Sequence, residues 1–377
     1  MEKNKKSVGI ITMHRVINYG SFLQAYATQE VIKSLGHKCE IIDYAFPNKW
    51  HYDNGLKRVN NFKSKVYKMT YPAGLFSGQR KEKKINNAIK KYLNLSTEYM
   101  LPEELQLRPP IYDIYLTGSD QTWNPKHTLG DDSFLLSFVG ENKKKISFSP
   151  SIADGLFTEG SKNNFKNHLQ DYSSVSVRDK KGQRILHDEF GIEAQVTLDP
   201  TLMLNKEQWL DFGFQEKNSI KEKGSYIAFY LITHSFNPTP YIYELLKELQ
   251  LKTGHKVMSF SDIPDKYDIK YEKCSGMGVE EFIQLFGNAK FVVTSSFHGT
   301  AFAANFGVPL YSVVSDKNAK DDRQASLLKL LQMDNCLVEV GADFGDINPF
   351  YKIETQQERL EELRQASRKF LESSINS

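Results

Sequence analysis

The chemistry this chain could perform centres on one histidine. His298 lies in the stretch Phe291-Val292-Val293-Thr294-Ser295-Ser296-Phe297-His298-Gly299-Thr300. There an apolar, β-branched run gives way to two serines and then to small residues that end at Gly307 and Pro309. The run reads as a buried parallel strand and the following residues as a short packed helix. His298 is therefore expected at the carboxyl end of a strand and the amino end of a helix, with Ser295, Ser296, Phe297, Gly299 and Thr300 around it. Open α/β sheets bind ligands beyond the carboxyl ends of their strands. A helix N-terminus favours an anion there, and an imidazole can move protons near neutral pH. On these residues alone a plainer alternative stays open, in which the ring only caps the turn.

Three more groups of polar residues fall at strand-to-helix turns. Asn18, Tyr19 and Gly20, with Gln24 one turn later, offer an amide, a phenol and a flexible glycine to a sugar hydroxyl or a phosphate, or form an ordinary turn. Gly118, Ser119, Asp120, Gln121 and Trp123 follow an apolar strand. They could hydrogen-bond hydroxyls while the indole stacks on a sugar face. Arg178 ends the strand SSVSV, where it could bind a carboxylate or phosphate bidentately or form an internal salt bridge.

The elements needed to hold these turns are readable. Ser7 to Met13, a helix from about Ser21 to Leu35, and Lys38 to Tyr44 form a βαβ start. Strands follow up to Thr117, at Lys144 to Phe148, Ser174 to Val177 and Gln195 to Leu198, between helices at about 160–172 and 180–190. The charged stretch 215–224 reads as a linker. A second set comes after it: strands at 225–232, 255–261, 291–294 and 310–315, helices at 239–253, 278–287 and 321–333, and a terminal helix. We expect an α/β protein of two Rossmann-like domains, residues 1–205 and 206–345, with a C-terminal helix in 346–377 that packs back across the domains. Residues 47–102 interrupt the alternation as a basic insertion. Between Lys49 and Lys91 twelve basic residues face only Asp53 and Glu82. Such a segment could touch anionic lipid at the inner face of the membrane or be a solvated excursion.

Composition narrows the classes. With 377 residues, 40% hydrophobic and 25% charged, the chain has the makeup of a soluble globular protein. A net charge of +3 gives no argument for a nucleic-acid partner. The first apolar segment ends at His14-Arg15, too short for a signal peptide, so a cytoplasmic location is expected. Cys39, Cys274 and Cys336 have no metal-like spacing. Neither a dinucleotide fingerprint nor a P-loop follows the first strand, and no H-E-x-x-H occurs, so no cofactor or metal is expected.

The ordered set NYGSFLQAYAT, TGSDQTWNP, KKISFSPSI, SVRD, LDPTLML and VVTSSFHGTAFAANFGVP resembles the polysaccharide pyruvyl transferase family. The resemblance implies a GT-B-like fold of two domains facing a cleft. It also implies transfer of pyruvate from phosphoenolpyruvate onto a sugar of a surface glycan or its lipid-linked oligosaccharide precursor, forming a ketal. The family's histidine matches His298 and the arginine of its strand-end motif matches Arg178. Members similar to this chain often carry an arginine where Ser296 stands. A serine cannot replace a guanidinium, so Arg178, Arg323 or Lys317 would supply that charge if the donor is the same. A nucleotide-sugar glycosyltransferase of the same fold and a non-catalytic glycan-binding protein are the rival readings.

Overall fold

The computed structural model describes residues 5–54, 72–153, 155, 157–213, 224, 226–233, 236–316, 323–345, 347 and 349–377, with the backbone alone for 72–77. The chain divides into two compact units. Unit 1 holds Met1–Pro72, Ile85–Met203 and Leu363–Ser377; unit 2 holds Ala73–Lys84 and Leu204–Glu362.

Unit 1 is built on strands β1 (Ser7–Ile11), β2 (Lys38–Tyr44), β3 (Leu95–Tyr99), β4 (Ile114–Thr117), β5 (Lys144–Ser147) and β6 (Tyr172–Ser174). They form one parallel sheet in the order β3-β2-β1-β4-β5-β6. A short parallel pair, β7 (Ser176–Val177) and β8 (Gln195–Val196), follows. All four residues of β4 are buried, as expected for a central parallel strand covered on both faces. The helix Tyr19–Ser34 connects β1 to β2 and buries Phe22, Leu23, Val31 and Ile32.

Unit 2 repeats the design. Its strands are β9 (Tyr226–Tyr230), β10 (Lys256–Ser259), β11 (Tyr271–Lys273), β12 (Phe291–Thr294), β13 (Leu310–Val314) and β14 (Leu337–Glu339). The order is β11-β10-β9-β12-β13-β14, the same permutation as in unit 1. In each unit the order reverses beside the first strand, between β1 and β4 and between β9 and β12. The reversal opens a crevice at the carboxyl ends of those two strands, where such sheets bind ligands. The register brings the ends level: Ile11 lies opposite Thr117, and Tyr230 opposite Thr294.

Several elements differ from their sequence reading. The alternation does not stop over residues 47–102, because Leu95–Tyr99 pairs in parallel with β2 as the edge of the sheet. Its sequence, LSTEY, is mostly polar, so periodicity does not reveal it. The edge strands β11 and β14 are equally short, three residues each. The strand expected over 174–177 is interrupted at Val175, splitting into β6 and β7. Of the basic segment, Lys57, Arg58, Lys63, Lys65, Lys68, Tyr67 and Tyr71 lie outside the described residues, as does most of the 215–224 stretch.

The helix Phe297–Phe306, which carries His298, is fixed by aromatic packing. The Phe302 ring lies 5.2 Å from Trp209 and 5.7 Å from Phe282, all three fully buried. Burying one phenylalanine contributes about 2–3 kcal/mol. At the other end of the helix, Gly299 presses on the strand below: a Cβ there would come within 2.5 Å of Thr294 Oγ1. Gly299→Ala is therefore expected to overpack this turn and lower stability by about 1–3 kcal/mol, read as a lower urea midpoint with an unchanged m-value.

Candidate functional site

Both switch points carry the residues singled out in the sequence. In unit 2, β12 ends at Thr294, and Ser295, Ser296, Phe297 and His298 follow at once. Thr294 Oγ1 donates to Tyr230 O at 2.6 Å and accepts from Ser296 N at 3.0 Å, tying the turn to the end of β9. Ser295 bridges to the same strand end: its Oγ donates to Ile232 O at 2.7 Å and accepts from Ile232 N at 2.9 Å. Ser296 is the N-cap of the helix, with its Oγ accepting from Gly299 N at 3.3 Å. The side chain thus satisfies one of the helix's orphan donors.

His298 is half-buried, on the first turn of this helix, with its ring 5.3 Å from that of buried Phe297. The Arg323 guanidinium lies over that same Phe297 ring, 5.9 Å from its centroid. Arg323 opens the helix Arg323–Leu330, and the next residue anchors it. Gln324 Nε2 donates to Ser312 Oγ at 2.8 Å, and that hydroxyl bonds Thr300 Oγ1 at 2.8 Å. Thr300 is thus an internal brace rather than a ligand. His298 lies on the first turn of this helix and Arg323 packs on the adjacent Phe297 ring; a helix N-terminus and a guanidinium each favour an anion, and an imidazole can move a proton. Lys317 lies outside the described residues.

The switch point of unit 1 is a buried polar network. Asp120 has φ +79°, an uncommon backbone for a residue with a Cβ. Its Oδ2 accepts from Ser21 Oγ at 2.6 Å and its Oδ1 from Gln121 N at 2.9 Å. Ser119 Oγ donates to Asp199 Oδ2, and Thr12 Oγ1 donates to Ser119 O. Gly118 packs against Thr12 and Ile10. Asn18 takes the turn role: it N-caps the Tyr19–Ser34 helix and accepts from Gly20 N at 2.8 Å. Tyr19 is buried, and Gln24 is wholly buried with Nε2 donating to Thr12 Oγ1 and Ser21 O. Gln121 is half-buried and accepts from Asn124.

Two expectations need correction. Trp123 does not offer an indole face to a sugar. It is 1% exposed, its Nε1 donates to Phe134 O at 3.3 Å, and Phe165 and Tyr172 pack edge-on against it. Arg178 does not present its guanidinium to an external anion. Its Nη1 bonds Asp199 Oδ2 at 2.9 Å, with the two side chains 1% and 0% exposed. The salt-bridge alternative is the one realised, and Asp199 also accepts from Thr201 N and Oγ1.

Sequence reasoning passed over a cluster at the ends of β1 and β2. His14, wholly buried, places Nδ1 3.2 Å from Thr12 O and Nε2 3.0 Å from Asp43 Oδ1. Both partners accept, so the ring can donate to the two at once only when both nitrogens carry protons. Arg15 adds two bonds to Asp43, at 2.6 and 2.5 Å, and reaches Glu98 at 2.8 Å. Burial pushes the Asp43 carboxyl up, but the hydrogen bonds and charges of His14 and Arg15 outweigh it and hold the group down at about 2. A depressed carboxyl contributes stability above its unfolded value of about 3.9 and loses it as pH falls through the folded one. About 2 kcal/mol is expected to vanish between pH 4 and pH 2. Urea unfolding across that range should show the loss in the native chain and a flatter profile in Asp43→Asn.

Residues 18–317 match the family described as polysaccharide pyruvyl transferase, about four-fifths of the chain. The chain belongs to the polysaccharide pyruvyl transferase family. As a member it is a transferase. No curated protein matches it by sequence. Among solved structures it is similar to a putative UDP-N-acetylglucosamine 2-epimerase from Listeria monocytogenes, at 11% identity and TM-score 0.53, over 98% of this chain and 91% of that one. It is likewise similar to the UDP-GlcNAc 2-epimerase from Methanocaldococcus jannaschii, at 13% identity and TM-score 0.51, over 95% and 98% of the two chains. The enzyme of that name from Neisseria meningitidis, bound to UDP-GlcNAc, matches at 11% identity and TM-score 0.50, over 97% and 93%. These likenesses establish the fold class, two parallel α/β units of the GT-B kind. Among the described residues no helix is long and apolar enough to cross a membrane.

Proposed function

We propose that this pyruvyl transferase family member moves the pyruvyl group of phosphoenolpyruvate onto a sugar of a surface polysaccharide or its lipid-linked precursor, forming a ketal. The observation that carries this reading is the position of His298, at the switch point of unit 2 and on the first turn of a helix. The helix N-terminus and Arg323 hold the donor's anionic groups. Arg323 is favoured over Arg178 for this because it adjoins the Phe297-His298 turn, whereas Arg178 is enclosed with Asp199. It supplies the charge absent at Ser296.

Protonated His298 gives its proton to the methylene carbon of the donor, which becomes a methyl group and leaves the adjacent carbon electron-poor. A sugar hydroxyl adds to that carbon. The bond from the carbon to the phosphate oxygen breaks, and a second hydroxyl closes the ketal. One hydroxyl proton restores His298 and the other leaves with phosphate.

Isothermal titration with phosphoenolpyruvate tests the donor assignment. Arg323→Ala is expected to weaken binding by about 10- to 100-fold, the worth of a charged hydrogen-bonding pair. Binding of UDP-sugars with none of phosphoenolpyruvate would move the chain to the glycosyltransferase reading. Binding of sugars alone would support a glycan-binding protein.

A further inference from the structure

At the opposite edge of the unit 1 sheet, by the amino ends of β1 and β2, lies a groove of about 500 Å³. Its walls combine two kinds of surface. Val8, Ile111 and the ring of Tyr112 are apolar, and Tyr112 lies so close over Gly9 that a Cβ there would clash with it. Lys5, Lys33 and Lys38 stand around them as exposed cations. The acid among the lining residues, Glu40, already accepts from Tyr112 Oη at 2.8 Å. Lys33 is shared with Glu30 at 2.9 Å. Among the described residues no ion pair engages Lys5 or Lys38.

The carboxyl end of the Tyr19–Ser34 helix adjoins this groove, and its negative pole would oppose an anion. That pole is neutralised. The carbonyls of Val31, Ile32 and Lys33 accept from the backbone of Leu35, Gly36 and His37, and Ser34 O accepts from Arg368 Nη2 at 3.1 Å. The rim is also greasy on the outside. Ile111 is 86% exposed, and Leu107, four residues earlier and so within about 14 Å along the chain, is 80% exposed. Large exposed aliphatic groups beside exposed lysines are the composition of a surface that meets lipid.

We infer that this groove docks unit 1 on an anionic membrane, with Lys5, Lys33 and Lys38 on a lipid phosphate and Ile111 against the adjoining hydrocarbon. The inference is independent of the donor assignment. Charge decides for this occupant: three lysines around an apolar floor complement a phosphate carried on an alkyl chain, and lysines near an anionic surface are attracted to it.

Co-sedimentation of the full chain with phosphatidylglycerol–phosphatidylcholine vesicles, and with pure phosphatidylcholine vesicles, tests it. The native chain is expected to sediment with the anionic vesicles only. K5E/K38E should weaken that binding at least tenfold and Ile111→Ser several-fold, while K126E/K166E, with the same change in charge on other exposed lysines, should weaken it less than threefold. Failure of the native chain to sediment would overturn the proposal, as would equal losses in the two double variants. Full competition by millimolar glycerol phosphate would reassign the groove to a soluble phosphate.

Discussion

Replacing His298 with alanine is expected to lower the turnover of ketal formation by about 100- to 10,000-fold, the range that a positioned proton donor supplies. The loss should fall on kcat. Donor binding in this account rests on Arg323 and the helix N-terminus, and the helix itself is held by Phe302, Trp209 and Phe282 rather than by the imidazole. KM for phosphoenolpyruvate is therefore expected to stay within about threefold, a pattern that marks an interaction made only in the transition state. A variant with full turnover would remove the histidine from the chemistry. A variant that loses binding and turnover together would make His298 a donor ligand.

The second large effect is on stability. Asp199 and Arg178 form an ion pair with side chains 0% and 1% exposed, and Asp199 also accepts from Ser119, Thr201 N and Thr201 Oγ1. Removing one member leaves the other charged and dry, at a cost of about 3–5 kcal/mol. Asp199→Ala should be the more damaging of the two, because it also strips an acceptor from Ser119 and the cap from the short turn Pro200–Leu202. Arg178→Met, which replaces the charge by an apolar chain but strands Asp199, should destabilise less than Asp199→Ala, because it leaves the turn intact. Urea unfolding of each single variant and of the double variant D199A/R178M measures the coupling. A double variant no less stable than either single one is expected. Singles within 1 kcal/mol of the native chain would show the pair to be solvated.

The sequence made the strand-end position of His298 readable because the chain marks it twice, with an apolar β-branched run before and a Gly-Pro stop after. It could not show that this end is also a switch point. That depends on β12 lying beside β9, a pairing between segments 64 residues apart, and the polar edge strand LSTEY hid the matching order in unit 1. Arg178 was visible as a strand-end arginine, but its partner comes 21 residues later in the Asp199-Pro200-Thr201 turn. Trp123 misled because its neighbours are polar: Gln121 and Asn124 face one way, while the indole turns into the core beside Phe165. The His14–Asp43 pair had a signal of its own, since each follows or ends a neighbouring parallel strand. Parallel neighbours bring their carboxyl ends together.

The transfer itself is the most direct test. Incubating the chain in D2O with phosphoenolpyruvate and a panel of methyl glycosides, and following the products by proton and phosphorus NMR, reads every step at once. The account predicts release of inorganic phosphate equal to the ketal formed, with a ketal methyl group carrying one deuterium, and loss of both products in His298→Ala. Phosphate release without a ketal, or release of UDP from a UDP-sugar with phosphoenolpyruvate untouched, would contradict it.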